Sequence, residues 1–185
     1  MPEELMIRHC APTMACMKTG SLFSCPFESR EVMNREMREM NRRLRERGLR
    51  VMPLRFRNGT ALVYAYRPGQ LERDLNQEDA ARLLARQGYG CPCEAKCVRR
   101  LTERLCAGGE FPHEIGLFLG YPPEDVEGFM NRREDVKLCG AWKVYGDAEA
   151  AQRLFDRYKK CTSVYLEKWK EGFSIERLTV KRASN

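Results

Sequence analysis

Apolar residues recur along this chain with two periods, and the change from one period to the other marks its elements. Between Ser29 and Gly48, Met33, Met37, Met40 and Leu44 fall at i, i+4, i+7 and i+11. That spacing puts four side chains on one helix face. Ser29 supplies an N-cap oxygen, Gly48 a C-terminal stop, and the flexible thioethers suit a gap-filling core stripe. Leu54-Arg-Phe56-Arg and Ala61-Leu-Val-Tyr-Ala-Tyr66 then flank Asn58-Gly59, the dipeptide that most readily takes the positive φ values of a tight hairpin turn. Pro53 cannot donate to a ladder, so the first strand begins near it or lies at an edge. Asn76 with Asp79 resembles a capping box for a helix through Leu83 and Leu84 that stops at Gly88. Val136 to Tyr145 reads as a strand. Asp147 caps a long helix that buries Ala151, Leu154, Phe155, Tyr158, Tyr165 and Trp169 and ends at Gly172.

Helices interspersed with a hairpin and separate strands predict an α+β fold. Its sheet is small and mainly antiparallel, includes the hairpin at about 50–66, and packs with several helices. No linker, repeat or low-complexity tract interrupts the chain, so residues 1–185 are expected to form a single domain. With 185 residues, 43% hydrophobic and 32% charged, the chain is long and apolar enough to bury a core. No run approaches the roughly 18 to 20 apolar residues of a membrane span, and the start MPEELMIRHC lacks an apolar signal core. The expectation is a cytoplasmic protein without membrane insertion.

In that reducing compartment the nine cysteines read as thiols or metal ligands, since an odd number cannot pair completely within one chain. The net charge of +7 suggests an anionic partner, but its distribution weakens the case for nucleic acid. Eight arginines between Arg30 and Arg50 interleave with Glu31, Glu36, Glu39 and Glu46, as on a solvated helix face.

Three sets of residues carry candidate chemistry. His9 and Cys10 are neighbours whose side chains diverge on a helix or a strand, so a partner must come from elsewhere. The only other histidine is His113, beside Glu114 at the start of a short helix. A small cysteine-dependent enzyme would join Cys10 as nucleophile to His113 as base, with Glu114 orienting the imidazole and Lys18 lowering the thiol pKa or contacting an anion. The plainer alternative packs Cys10 as a small hydrophobe and leaves His113 and Glu114 to cap their helix. The second set, Cys91, Cys93 and Cys97, brings three thiols within seven residues and could hold zinc or an iron–sulfur cluster, although Cys106 lies out of helical phase with Cys97 and no paired knuckles appear. The third, His9 and Cys10 with the steps Cys25-Pro26 and Cys91-Pro92, admits axial ligation of haem. Trp142, Tyr145 or Trp169 could stack a flat ligand, but large aromatic side chains at regular spacing are more often core. No phosphate-binding glycine loop stands out.

Three blocks of sequence identify relatives. They are His9-Cys10-Ala11-Pro12-Thr13-Met14-Ala15 with Lys18 and Leu22-Phe23; Glu110-Phe-Pro-His113-Glu114-Ile115-Gly116 continuing through Phe118-Leu119-Gly120-Tyr121-Pro122 to Asp125-Val126 and Gly128-Phe129; and Gly140-Ala-Trp142-Lys143-Val144-Tyr145 with Tyr158 and Lys160-Cys161. With these blocks the chain resembles a bacterial family, domain of unknown function 3793, found mostly in anaerobes. The resemblance spans nearly the whole chain and implies membership without a mechanism. The family pattern places leucine at Met14 and glycine at Cys16, which sets Cys16 apart from any shared chemistry.

The middle block also reproduces the apolar spacing of a helix-turn-helix, with Ile115-Gly116, Leu119-Gly120, Val126, Phe129 and Met130. Its second helix begins with Glu124, Asp125 and Glu127, carboxylates where DNA contacts belong, so the turn is expected to be packed structure more than a DNA reader. The expected function is therefore a thiol-dependent redox or metal- or haem-linked accessory protein acting with a protein or redox partner. The alternatives are a DNA-binding or regulatory module and the Cys10–His113 enzyme.

Overall fold

In the computed structural model, which describes residues 3–90 and 93–181, the elements follow in the order α1 (Glu3–Met14), β1 (Gly20–Pro26), α2 (Arg30–Leu44), β2 (Arg50–Arg57), β3 (Thr60–Tyr66), α3 (Pro68–Leu75), α4 (Glu78–Arg86), α5 (Glu94–Cys106), α6 (Ile115–Phe118), α7 (Pro123–Met130), β4 (Leu138–Cys139), β5 (Lys143–Val144), α8 (Ala148–Lys170) and α9 (Ile175–Leu178). The fold is α+β, as the alternation of periods predicts. Two compact units divide it. Unit 1 comprises residues 1–69 and 160–185, and unit 2 residues 70–159.

Unit 1 is built on a three-stranded antiparallel sheet in the order β1-β3-β2. The turn between β2 and β3 is Asn58-Gly59, at φ 49° and 71°, the left-handed pair that matches strand twist and that Asn and Gly tolerate best. Pro53 lies on β2, an edge strand, where its missing donor costs no central ladder bond, and the register shifts between Pro53 and Arg55. Asn41 covers part of this edge, its Nδ2 donating to the Val51 carbonyl at 2.7 Å and its Oδ1 accepting from the Val51 amide at 2.8 Å. On one face of β3, Ala61, Val63 and Ala65 meet the buried methionines and Leu44 of α2 and the Met6, Ile7, Cys10 and Met14 stripe of α1. Each fully buried Met or Leu side chain contributes about 1.5–3 kcal/mol. The alternate residues Tyr64 and Tyr66 stack on one another at 4.6 Å.

The N-cap of α2 is Ser29, whose Oγ accepts from the Val32 amide. Beyond its last turn, Gly48 stands at φ 71°. A buried arginine, which the apolar pattern does not announce, closes this unit. Arg67 follows β3, and its Nε donates to the Thr13 carbonyl at 2.6 Å. Its other guanidinium nitrogens donate to the carbonyls of Met14, Arg47 and Val180. The carbonyl end of α1, with its partial negative charge, thus receives a cation.

Unit 2 is largely helical and adds a two-stranded hairpin, β4 and β5. The stretch from Val136 to Tyr145 is this hairpin and not one strand: the chain reverses at Gly140-Ala141-Trp142, where the Gly140 amide donates to the Trp142 carbonyl at 3.0 Å. A Cβ on Gly140 would stand 2.2 Å from the Phe155 ring, so the reversal is pressed onto α8. The capping box expected at Asn76 and Asp79 does not form. Gln77 is the N-cap of α4 without a side-chain bond, and Asn76 Nδ2 donates back to the Glu72 carbonyl. Asp147 does cap α8, accepting from the Ala150 amide. Along that helix Ala151 and Phe155 are buried, whereas Leu154, Tyr158, Tyr165 and Trp169 are half-buried.

The α6–α7 turn is packed structure. Val126 approaches so closely that a Cβ on Gly116 would lie 2.7 Å from it, and one on Gly128 would lie 2.6 Å from the Tyr145 ring. Small residues at these positions let the two helices and the hairpin close together. Glu127 pairs with Arg86 of α4, and Asp125 is buried. Two of the three carboxylates at the start of α7 are therefore engaged within the unit.

Candidate functional site

In unit 1, α1 separates His9 from Cys10 as adjacent helix positions must. His9 is exposed and lies parallel to the Phe23 ring, centroids 5.5 Å apart, with its pKa lowered by partial burial and then by Arg8. Cys10 has no exposed surface. Burial pushes its thiol up to about 12, against the smaller opposing effects of Lys18 and of a hydrogen bond with Ser21. Ser21 Oγ in turn lies 2.9 Å from Thr13 Oγ1. Lys18 is half-buried, and desolvation lowers its pKa to about 8. Cys10 and Lys18 are thus neighbours electrostatically, but the thiol is protonated at neutral pH and lacks the thiolate that a nucleophile needs. Cys25 is also buried, and burial raises its pKa.

In unit 2, Cys93 is the N-cap of α5 and Cys97 is buried one turn along it. Cys91 and Pro92 lie outside the described residues. Among the described residues no group of three or more His, Cys, Asp or Glu side chains is placed to hold a metal ion.

His113 and Glu114 take different roles. Glu114 is the N-cap residue of α6 by backbone position, but its side chain makes no cap bond. The carboxylate turns inward, where its Oε1 accepts from Tyr89 Oη at 2.9 Å and from Arg104 Nε at 2.8 Å. Its side chain is 2% exposed against 32% for Arg104, so the carboxylate is shielded from water and engaged with Arg104 and Tyr89 while the guanidinium keeps a side open to the solvent. Burial and then the Glu114 charge raise the Tyr89 pKa, which keeps the phenol a donor. The carboxylate near His113 is Glu110, 3.8 Å from Nε2. The His113 ring stands edge-on to Phe129 at 4.9 Å and tilted to Phe111 at 6.1 Å.

His113 borders two adjoining cavities. One, of about 510 Å³, is lined by the cations Arg104, Arg132, Arg133 and Lys143 and by the carboxylates Glu110 and Glu114. Its size falls in the usual range of small-molecule sites. Arg104 is held in place by Glu114 and by the Gln87 carbonyl, to which its Nη1 donates at 3.0 Å. Arg133 is oriented by Asp135 and lies 5.5 Å from the centre of the Tyr145 ring. Arg132 stands at φ 53°, a left-handed conformation that costs a residue with a Cβ about 1–2 kcal/mol. It closes the end of α7, with the Arg133 amide donating to the Gly128 carbonyl in the manner of a helix stop usually made by glycine.

The second cavity, of about 270 Å³, is lined mainly by apolar and aromatic side chains, among them Phe111, Tyr121, Phe129 and Trp142. Phe111, His113, Phe129 and Lys143 border both cavities. Trp142 is fixed on three sides: Nε1 donates to Asp125 Oδ2 at 2.7 Å, the Tyr121 ring stacks at 4.4 Å, and Phe155 meets it edge-on at 4.6 Å. Asp125 Oδ1 also accepts from the amides of Tyr145 and Gly146, at 2.7 and 2.9 Å. One buried carboxylate therefore ties α7 to the hairpin that presents Trp142 and Lys143.

Sequence reasoning found His113 and the possibility that Trp142 stacks a flat ligand, but not the cluster around them. The cations of the larger cavity come from α5, from the end of α7 and from β5. Arginines and lysines at such separations carry no motif, and a chain with 33 of them gives no local signal of convergence.

A family model described as "Protein of unknown function (DUF3793)" matches residues 6–179. No curated protein and no solved structure matches the chain.

Proposed function

We propose that this chain, which belongs to the DUF3793 family, is a ligand-binding module whose unit 2 takes a small organic anion. The observation that carries this reading is the convergence of Arg104, Arg132, Arg133 and Lys143 on one cavity of about 510 Å³. Two carboxylates share that lining, Glu114 paired with Arg104 and Glu110 3.5 Å from Arg132. Asp135 holds Arg133 from outside it, so four cations face two carboxylates in the lining itself. Guanidinium groups in fixed positions suit carboxylate or phosphate, which they meet with paired donors. Holding Arg104 between Glu114 and the Gln87 carbonyl lowers the ordering cost of binding.

The thiol-dependent redox reading draws less support, because Cys10 is buried and protonated. The metal-linked reading rests on a cysteine cluster whose Cys91 lies outside the described residues. The haem-linked reading rests on His9 and the fully buried Cys10, with no observation that carries it as the cation-lined cavity carries anion binding. DNA binding by the α6–α7 turn is likewise less favoured, because Asp125 and Glu127 work inside the unit and the remaining first-turn charge is Glu124.

Isothermal titration of the full chain with citrate, pyrophosphate and cyclohexyl phosphate tests the anion-binding reading. At least one should bind, with an affinity that falls as salt rises. Arg133→Gln and Lys143→Gln, at exposed positions, should each weaken binding. Absence of binding by all three anions, or binding indifferent to both substitutions, would overturn the reading.

A further inference from the structure

We infer that the ligand of this site carries a planar aromatic ring system joined closely to its anionic group, with the ring in the apolar cavity and the anion in the basic one. The inference rests on the anion-binding reading and adds the class of compound. Four large hydrophobic side chains are exposed among the described residues, and the two in unit 2, Phe111 at 38% and Phe129 at 39%, both border the two cavities. Apolar rings left open beside a cluster of cations offer area that a flat, partly charged molecule can cover.

The geometry joins the two halves. His113 stands between Phe111 and Phe129, and Lys143 Nζ lies 5.6 Å from the centre of the Phe129 ring. A ring entering between Phe129 and Trp142 would bring a substituent on its edge to Lys143, which faces both cavities. The far wall is preorganised, because Asp125, Tyr121 and Phe155 fix the Trp142 ring before any ligand arrives. An aliphatic group of similar bulk would fill the same space but forgo ring–ring contacts.

The test compares matched pairs on the full chain: 1-naphthyl phosphate with cyclohexyl phosphate, and 1-naphthoate with cyclohexanecarboxylate. 2-Naphthol serves as the uncharged ring, and inorganic phosphate as the bare head group. Heat is measured directly, and Trp142 emission is followed in a Trp169→Phe background. Each naphthyl anion should bind about tenfold or more tightly than its cyclohexyl partner and quench Trp142. The phosphate and carboxylate pairs distinguish the two head groups. Phe129→Leu, at a rim position, should narrow the naphthyl-to-cyclohexyl affinity ratio in both pairs to about threefold or less, whatever it does to the absolute affinities. Equal affinities within both pairs would overturn the aromatic class while leaving anion binding intact. Binding of 2-naphthol as tight as that of 1-naphthyl phosphate, or no binding by any of the six compounds, would overturn both.

Discussion

Replacing Asp125 by alanine removes one acceptor group that serves three donors: Trp142 Nε1 and the Tyr145 and Gly146 amides, at 2.7, 2.7 and 2.9 Å. The residue is 4% exposed, so water does not already compete for these bonds. A hydrogen bond to a charged group is worth about 1.5–3 kcal/mol net, and a buried donor left unmet costs about 1–3 kcal/mol. Water entering the space vacated by the carboxylate would recover part of that loss. The expected destabilisation is therefore about 3–4 kcal/mol, a large share of the roughly 5–15 kcal/mol that holds a typical protein folded. Asp125→Asn isolates the geometry from the charge. Its Oδ1 can still accept from both amides, but its Nδ2 faces the indole N–H donor to donor, so the loss should be smaller, about 1–2 kcal/mol. Urea unfolding followed by Trp142 emission in a Trp169→Phe background gives both values, and exchange of the Tyr145 and Gly146 amides reports the site directly. An alanine variant within about 1 kcal/mol of the parent would refute the reasoning. An asparagine variant as unstable as the alanine one would show that charge matters more than the number of accepted bonds.

Arg132→Gly should relieve the left-handed backbone at φ 53° and raise stability by about 1 kcal/mol, measured by denaturant unfolding, while weakening anion binding in titration. The Lys18 pKa, about 8 in the folded chain against the ordinary 10.5, means that the unfolded chain holds more protons between those values. The penalty for the buried charge is then fully present below about pH 8 and fades as pH rises, so the stability of the parent relative to Lys18→Met should increase between pH 7 and 9 by about 1 kcal/mol. That range stays below most of the interval, from 9.0 to about 12, in which Cys10 acts in the opposite sense. Brief iodoacetamide treatment of the native protein with peptide mass analysis should modify Cys106 and Cys139 first and leave Cys10, Cys25 and Cys97 unmodified until the chain unfolds. Rapid labelling of native Cys10 at pH 7 would revive the nucleophile.

What the sequence discloses of the fold follows the range of the interactions responsible. The methionine face of α2, its Ser29 cap and the Asn58-Gly59 turn are set by residues within a few positions of each other, and each forms as the spacing predicts. The glycine that the family resemblance places at Cys16 has the same local origin, since φ there is 60°. The stretch from Val136 to Tyr145 was misleading because its apolar residues suit one strand, while the reversal at Gly140 answers to Phe155 on a distant helix. Asn76 and Asp79 have the spacing of a capping box, but Asn76 satisfies the Glu72 carbonyl instead. Arg67 shows the limit most clearly: nothing in Tyr66-Arg67-Pro68 reveals that a guanidinium will gather carbonyls from α1, from residue 47 and from the C-terminal segment.

The candidate site follows the same rule with a functional consequence. The Pro112-His113-Glu114 step is visible in the sequence because a histidine and a carboxylate at a helix start are familiar catalytic partners. That adjacency suggested that Glu114 orients His113, yet neighbouring side chains diverge, and Glu114 instead anchors Arg104 ten residues earlier in the chain. The carboxylate thus bears on the cavity by positioning a cation. This assignment separates the roles of two adjacent residues: replacement of Glu114 should disturb Arg104 and folding together, whereas replacement of His113, half-exposed between Phe111 and Phe129, should alter ligand affinity with little loss of stability. The helix-turn-helix spacing undergoes a similar change of meaning. Through Asp125 its second helix holds the hairpin that carries Trp142 and Lys143 to the two cavities. On the anion-binding reading the turn is the support of the site, and Asp125, a charge that would repel DNA phosphate, is what ties the site's elements together.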